Sequence, residues 1–202
     1  MSYDRILLVG GFCEPLWMLQ PLRYALASQG SVEACIWRDR IVNRDLDSSI
    51  RNFRNEMIRQ QALGHRVAIV THSFGDWIVR QAIAGLPQPP IEAIVSIAPV
   101  MSASPLGQLL QLLGASWISE VPVMADQARS SLNVDCDPSI RRMVLWAAID
   151  AWVRPYAVEQ NKNLTVRHCR ATHLSIILQP NIQRLIHRFL TATPEDVMPL
   201  AS

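Results

Sequence analysis

Short apolar runs alternate with longer amphipathic segments along this chain, and the alternation limits the fold more than any other feature. The runs occupy residues 5–9, 32–37, 66–71, 92–98, 142–148 and 164–168. A strand that is buried on both faces reads as a continuous apolar run, whereas a half-buried strand alternates apolar and polar residues. We therefore predict a mostly parallel sheet of about six strands.

The segments between the runs have the spacing of amphipathic helices. Residues 46–57 place an apolar side chain at steps of four, three and four, which is one helical face. We expect further helices over residues 19–29 and 74–85, and a last one that begins near Pro180. Strands that alternate with helices are typical of an α/β fold with helices on both faces of the sheet.

Residues 1–202 form a single predicted domain, because no linker or repeat divides the chain. Only residues 100–137 depart from the alternation of strands and helices. This segment is too long for a simple crossover connection. We interpret it as a short cap insertion that forms a wall of a binding site. Leu106, Leu110 and Trp117 in this segment, together with Gly11, are our candidates for substrate contact.

Composition excludes several classes of function. The formal net charge is only +2 and the arginines form no dense run, so we expect no nucleic-acid partner. The four cysteines show no metal-ligand spacing, so we expect no metal site. No signal sequence and no run of bilayer length is present, so we expect a cytoplasmic protein without an integral membrane segment.

A serine occupies the junction between the third strand and the following helix. The segment THSFG, residues 71–75, places Ser73 on a sharp turn where its hydroxyl projects beyond the carboxyl edge of the sheet. Small residues are needed two positions on either side because strand and helix backbones approach closely there. Gly75 meets this need, whereas Thr71 stands where the usual pattern has glycine. We predict that Ser73 is a nucleophile rather than only a helix N-cap.

A nucleophilic serine needs a base, and His173 is our candidate. It follows the last predicted strand and precedes the last helix, which places it at the same sheet edge as Ser73. The alternatives are His168, interpreted as the end of a strand, and His72, interpreted as a residue that packs or bonds under the sheet edge. The other two histidines look like surface residues: His65 and His187.

Asp150 is our candidate for the acid that orients the base. It follows the fifth predicted strand, so it also lies at the carboxyl edge, and it gives the chain order Ser, Asp, His. Asp126 lies in the predicted cap, and Asp137 precedes its strand and therefore points to the opposite edge. Asp135 is the remaining alternative.

Two backbone amides are predicted to hold the developing negative charge on the substrate oxygen. The N–H of Phe74 begins the helix after Ser73, and the N–H of Phe12 follows the glycine pair that ends the first strand. Removal of one such donor usually costs about 3 kcal/mol of transition-state stabilisation. We interpret nearby Glu14 as a solvated loop residue, with contact to the substrate as the alternative, and Asp76 as a favourable charge at a helix N-terminus.

Four segments resemble the α/β-hydrolase superfamily, and within it the small single-domain lipases and esterases. LLVGGF (7–12) is similar to the first core strand with its oxyanion loop, and VAIVTHSFG (67–75) to the nucleophile strand. AAIDAWVRP (147–155) and THL (172–174) are similar to the acid and histidine segments. The likeness spans residues 6–190, although the family's usual first two strands have no counterpart.

The resemblance implies acyl-transfer chemistry by a Ser-His-Asp triad without a cofactor. We therefore expect a hydrolase of a small-molecule ester or thioester with an apolar part, whose activity rises through about pH 6 to 7 as His173 loses its proton. Two alternatives stay open: a catalytically silent binding module, and an acyltransferase on the same scaffold.

Overall fold

The computed structural model describes residues 2–35, 45–135 and 137–192. In this part of the chain, six strands form one all-parallel sheet in the order β2-β1-β3-β4-β5-β6. The strands are β1 (Arg5–Val9), β2 (Ser31–Cys35), β3 (Val67–His72), β4 (Ile91–Ile97), β5 (Arg141–Ile149) and β6 (Leu164–Thr172). The predicted α/β class and parallel sheet are confirmed.

Seven α-helices connect or follow these strands in the described residues. They are α1 (Gln20–Leu26), α2 (Leu46–Ala62), α3 (Phe74–Ile83), α4 (Pro105–Leu112), α5 (Glu120–Ala125), α6 (Gln127–Ser130) and α7 (Pro180–Thr191). The predicted end of the second strand at Trp37 lies outside the described residues. The last strand extends to Thr172, four residues beyond its predicted end at His168.

The connections change direction between β1 and β3. The step from β1 to β2 goes to one side of the sheet, and all later steps go to the other side. Right-handed crossovers in opposite directions place their helices on opposite faces. The packing agrees, because α1 contacts α7 whereas α2 contacts α3. Such a reversal opens a crevice at the carboxyl ends of the two strands, where ligands of open α/β sheets bind.

The core is the central sheet together with the helices that cover it. Ile6, Leu7, Leu8 and Val9 on β1 are fully buried, and every residue of β3 is buried. Burial on both faces explains why these strands read as continuous apolar runs in the sequence. No helix within the described ranges combines the length and apolar character needed to cross a bilayer.

The segment between β4 and β5 is an insertion built from α4, α5 and α6. Gly107 of α4 lies so close to α5 that a Cβ atom there would come within 2.6 Å of the Met124 backbone. The guanidinium of Arg80 on α3 ties the insertion to the core, because it donates to the carbonyl oxygens of Val100 at 2.7 Å and Ser130 at 3.1 Å.

Arg80 belongs to a buried ionic cluster centred on Asp76. The Asp76 carboxylate accepts from Arg80 at 2.8 Å, from Ser96 at 2.6 Å and from Arg142 of β5 at 3.4 Å. Burial favours the neutral carboxyl, but the charges of Arg142 and Arg80, together with the hydrogen bonds from Ser96 and Arg80, outweigh it and lower the pKa of Asp76. Asp76 lies in the first turn of α3, as predicted, and it is in addition an internal counter-ion for Arg80 on the same helix and for Arg142, which is 66 residues away.

We predict that Asp76→Asn lowers the free energy of unfolding by about 3–5 kcal/mol, because it leaves two buried guanidinium groups without a carboxylate. Urea denaturation at pH 7 measures this difference. A carboxyl whose pKa is lowered by folding stabilises the protein above its unfolded-state pKa, and this stabilisation is lost as the pH falls. The free energies of unfolding of wild type and variant should therefore converge as the pH is lowered.

Asp47→Asn is the matched control, because Asp47 is an exposed aspartate in the first turn of α2. The Asp47→Asn substitution should lower the free energy of unfolding by no more than about 1 kcal/mol. A loss for Asp76→Asn that is no larger than that of the control would contradict a stabilising role for the cluster.

Candidate active site

Ser73 lies at the junction of β3 and α3 in a strained backbone conformation. Its φ is 53° and its ψ is −124°, a combination that non-glycine residues rarely adopt. Backbone hydrogen bonds tie the turn to the end of β4 and the loop after it. The Ser73 N–H donates to Ile97 O at 2.9 Å, and the Ser73 carbonyl accepts from the Val100 N–H at 3.3 Å. Strain of this kind costs about 1–3 kcal/mol and persists only where the surroundings impose it.

Gly75 allows the helix to approach the first strand. A Cβ atom on Gly75 would lie 2.5 Å from the carbonyl oxygens of both Val9 and Gly10. Glycine is therefore required at this position. Thr71, at the other small-residue position, is fully buried and its hydroxyl lies 3.3 Å from both Val95 O and Asp76 Oδ1. The β-branched residue is accommodated there because its hydroxyl has these partners.

The structure brings Ser73, His173 and Asp150 together. The Ser73 Oγ lies 3.0 Å from His173 Nε2, and His173 Nδ1 lies 2.8 Å from Asp150 Oδ2. Ser73 and His173 are 7% and 5% exposed, so these contacts are shielded from bulk water. The imidazole is thus within hydrogen-bond reach of both the hydroxyl and the carboxylate, an arrangement that can activate a serine.

A register shift near the ends of β5 and β6 aligns the acid with the base. Ala147 pairs with Cys169, but Ile149 pairs with Thr172, so β6 contains one extra residue. An extra residue changes the face to which the following side chains point. Asp150 and His173 each follow the last residue of this pairing directly, and their side chains therefore meet.

Asp150 is held as a carboxylate by two backbone amides. Its Oδ1 accepts from Trp152 N at 2.8 Å and from Val153 N at 3.0 Å, which leaves Oδ2 for His173. Burial favours the neutral acid, but the hydrogen bonds from His173 and from the two amides lower the pKa of Asp150. The carboxylate therefore stays charged at neutral pH and favours the His173 tautomer that carries a proton on Nδ1.

The pKa of His173 lies below its ordinary value of 6.5. Burial is the main cause, and the nearby positive charge of His72 acts in the same direction, whereas Asp150 opposes both. The imidazole is accordingly neutral at neutral pH, with Nε2 able to accept a proton from the Ser73 hydroxyl.

A small cavity of about 210 Å³ opens beside Ser73 and His173. Its walls come from the loop after β1, including Gly11 and Phe12, and from Leu106 of α4. Trp152 and Leu174 also line it, and the Trp152 ring lies 5.1 Å from the His173 ring between centroids. The lining is mainly apolar, so the cavity suits an apolar group next to the serine hydroxyl.

The predicted substrate contacts divide into two groups. Gly11 and Leu106 line this cavity, whereas Leu110 and Trp117 do not. Leu110 packs against the hydrophobic core, and Trp117 lies in a short 3₁₀ turn after α4 and is 61% exposed. Neither residue lines this cavity, and their assignment to substrate contact stays a prediction.

The two predicted oxyanion donors lie on either side of Ser73 in the fold. Phe12 lines the cavity, and Phe74 is the fully buried first residue of α3. Gly11 brings the loop against the serine, because a Cβ atom on it would lie 2.7 Å from the Ser73 Cβ. The function of both amides stays a prediction.

Sequence reasoning missed the role of Glu14. Its side chain is only 3% exposed and its Oε2 lies 2.8 Å from His72 Nδ1, so it is not a solvated loop residue. The interpretation of His72 agrees with the structure, because its Nε2 bonds the His173 carbonyl oxygen at 3.0 Å. The available signal was a carboxylate just beyond the glycine pair and a histidine beside the candidate nucleophile.

Comparison of the sequence with family models and with curated proteins finds no match. Solved structures do match. A monoacylglycerol lipase from Paleococcus ferrophilus has a TM-score of 0.69 at 15% identity, over 94% of this chain and 95% of that one. This chain has the α/β-hydrolase fold.

Two further structures show the same fold. One comes from a study of the metagenome-derived lipolytic enzymes LipS and LipT, with a TM-score of 0.71 at 11% identity over 95% of both chains. A hydrolase from Oleispira antarctica has a TM-score of 0.63 at 16% identity, over 95% of this chain and 93% of its own. The predicted resemblance to this superfamily is confirmed at the level of the fold.

We predict that His173 titrates below pH 6.5, which nitrogen-15 NMR of the histidine rings measures directly, with His173→Gln to assign the signal. Asp150→Asn should lower the pKa further, because it removes the one contact that stabilises the imidazolium most. Asp135→Asn, at the opposite edge of the sheet, should leave it unchanged. A His173 pKa above 6.5 in the wild type would contradict this account of its burial.

Proposed function

We propose that this protein is a serine hydrolase that cleaves a small carboxylic ester or thioester with an apolar part. The observation that supports this most strongly is the hydrogen-bonded series Ser73–His173–Asp150 beside a mainly apolar cavity. Solved structures of the same fold that are named as lipases or esterases add support. In this proposal Ser73 is the nucleophile, His173 the general base and Asp150 the orienting acid.

Acylation begins when the Ser73 oxygen attacks the acyl carbonyl carbon as His173 Nε2 takes the hydroxyl proton. The carbonyl π electrons move to the oxygen, which the amides of Phe12 and Phe74 are proposed to hold. When the tetrahedral intermediate collapses, the bond to the alcohol or thiol breaks and His173 gives its proton to the leaving group. The product of this half-reaction is an acyl-Ser73 ester.

Deacylation repeats these steps with water as the nucleophile. His173 removes a proton from water, the hydroxide adds to the acyl carbon, and the released Ser73 oxygen takes the proton back. Asp150 keeps its charge throughout and stabilises the imidazolium that forms in both halves. No redox change occurs, and water is the one co-reactant.

We predict that Ser73→Ala, with nitrophenyl acetate or butyrate as substrate, lowers kcat by about 10⁴-fold or more and abolishes labelling by a fluorophosphonate probe. Asp150→Asn should lower kcat by about 10⁴-fold with KM little changed, because the imidazole then loses its tautomer and its counter-charge. Ser28→Ala is the matched control, since Ser28 is an exposed serine near the amino end of β2.

Fluorophosphonate labelling of the Ser73→Ala variant at the wild-type level would overturn the site assignment. A protein that neither labels nor hydrolyses any ester would instead favour a silent binding module. Faster product formation with added alcohol or amine, at constant acid release, would favour an acyltransferase.

The cavity size predicts a preference for short apolar groups. At about 210 Å³ it is smaller than the roughly 300–1,000 Å³ typical of sites for drug-sized ligands. We expect Leu106→Ala to enlarge the cavity and to raise kcat/KM for longer nitrophenyl esters relative to acetate. Each additional buried methylene contributes at most about 0.8 kcal/mol, or roughly fourfold.

Leu109→Ala on the same helix is the matched control, because Leu109 is 53% exposed and does not line the cavity. Equal chain-length profiles for the two variants would contradict a role of Leu106 in substrate selection.

A further inference from the structure

A second buried acid–histidine pair lies directly beneath the candidate triad. The side chains of Glu14 and His72 are 3% and 2% exposed, and Glu14 Oε2 lies 2.8 Å from His72 Nδ1. The other ring nitrogen, Nε2, lies 3.0 Å from the carbonyl oxygen of His173. A carboxylate and a carbonyl oxygen accept hydrogen bonds and do not donate them. With Glu14 ionised, both His72 nitrogens donate, and we infer that the ring is an imidazolium paired with a carboxylate.

Glu14 is also bonded to the loop that precedes it. Its Oε2 accepts from the Gly11 N–H at 2.5 Å, and its own N–H donates to Gly11 O at 3.4 Å. Cys13 closes this turn with a φ of 51°, in the left-handed region. The turn therefore folds the carboxylate back toward the glycine pair and fixes both ends of Gly11.

These bonds orient the peptide that carries the Phe12 amide. The Gly11 carbonyl and the Phe12 N–H belong to one planar trans peptide unit, in which they point in opposite directions. When the backbone N–H of Glu14 binds this carbonyl on one side, the N–H of Phe12 is directed to the other. The Glu14 carboxylate fixes the preceding peptide through the Gly11 N–H, so the side chain anchors the turn that presents this candidate oxyanion donor.

We propose that Glu14 and His72 form a charged positioning pair that locks the loop after β1 and the backbone of His173 onto the nucleophile turn. The inference rests on the proposed function, because the elements it joins are those that carry the oxyanion donor, the nucleophile and the base. Neither residue exchanges a proton with substrate. They act by holding Phe12 and His173 in place.

The pair also acts on the charge state of His173. The His72 and His173 rings are 4.9 Å apart between centroids. The charged groups that face His173 are His72 beside the nucleophile, Glu14 from the loop after β1 and Asp150 from the loop after β5. Burial and the positive charge of His72 lower the pKa of His173, whereas Asp150 and Glu14 raise it. Loss of the His72 charge should therefore raise the pKa of His173.

Two variants test the pair by kinetics. In Glu14→Gln and His72→Gln we expect kcat for nitrophenyl butyrate to fall about 10–100-fold with KM changed less than threefold, because displaced reacting groups slow the chemistry. The rate of fluorophosphonate labelling should fall in parallel. In His72→Gln, the rise of kcat with pH should also move to higher pH, which a purely structural role would not produce.

Glu159→Gln, at an exposed glutamate, is the matched control and should match the wild type. Glu14→Asp should recover part of the activity, since it keeps the charge on a shorter side chain. Wild-type kcat, labelling rate and pH profile in both Glu14→Gln and His72→Gln would overturn the inference while leaving Ser73 as the proposed nucleophile.

NMR of the wild type tests the pair without any turnover. We expect two ring N–H signals for His72 at pH 7. Burial lowers the pKa of His72, but the charge and hydrogen bond of Glu14, the His173 carbonyl and the charge of Asp150 together raise it. Burial alone would raise the pKa of Glu14, but the charge and hydrogen bond of His72 lower it. A single ring N–H on His72 at pH 7 would overturn the charged pair, whether or not the protein hydrolyses esters and whether or not the variants fold.

Discussion

The left-handed backbone of Ser73 is the constraint on which the site depends. A non-glycine residue at φ 53° carries strain, and here the neighbouring structure imposes it. The β3 strand ends in the sheet, α3 must start at once, and Gly75 lets that helix pass within contact of the β1 backbone. A relaxed Ser73 would require the helix or the strand to move.

Two groups of buried charged residues stabilise this arrangement. Asp76, three residues after the serine, binds Arg80 and Arg142 and so links α3 to β5 and to the insertion. Glu14 and His72 link the loop after β1 to the carbonyl of His173. Each cluster joins segments that lie far apart in the sequence. The two clusters together surround the one turn that carries the serine hydroxyl.

Much of the fold was predictable because it depends on local patterns. Continuous apolar runs indicate buried parallel strands, and carboxyl ends of parallel strands share one edge, so the closeness of Ser73, Asp150 and His173 followed from strand positions alone. The strand order was not predicted. Neither was the extra residue of β6, because a register shift depends on pairing with β5. Of the three insertion residues predicted to contact substrate, Leu106 lines the cavity and Leu110 and Trp117 do not, because such a contact depends on how the insertion packs.

The buried charges were beyond sequence reasoning for a related reason. A carboxylate next to a glycine pair is usually solvated, and only a partner elsewhere in the chain makes its burial favourable. The partner of Glu14 is 58 residues away, and Arg142 is 66 residues from Asp76. Such pairings are set by the sheet topology, which no local pattern specifies.

A crystal structure of the protein after reaction with a fluorophosphonate tests the central claim most directly. We expect phosphorus bonded to Ser73 Oγ, with the phosphonyl oxygen about 3 Å from the amide nitrogens of both Phe12 and Phe74. The His173 ring should still bind Asp150. A label on another residue, or a phosphonyl oxygen turned away from both amides, would contradict it.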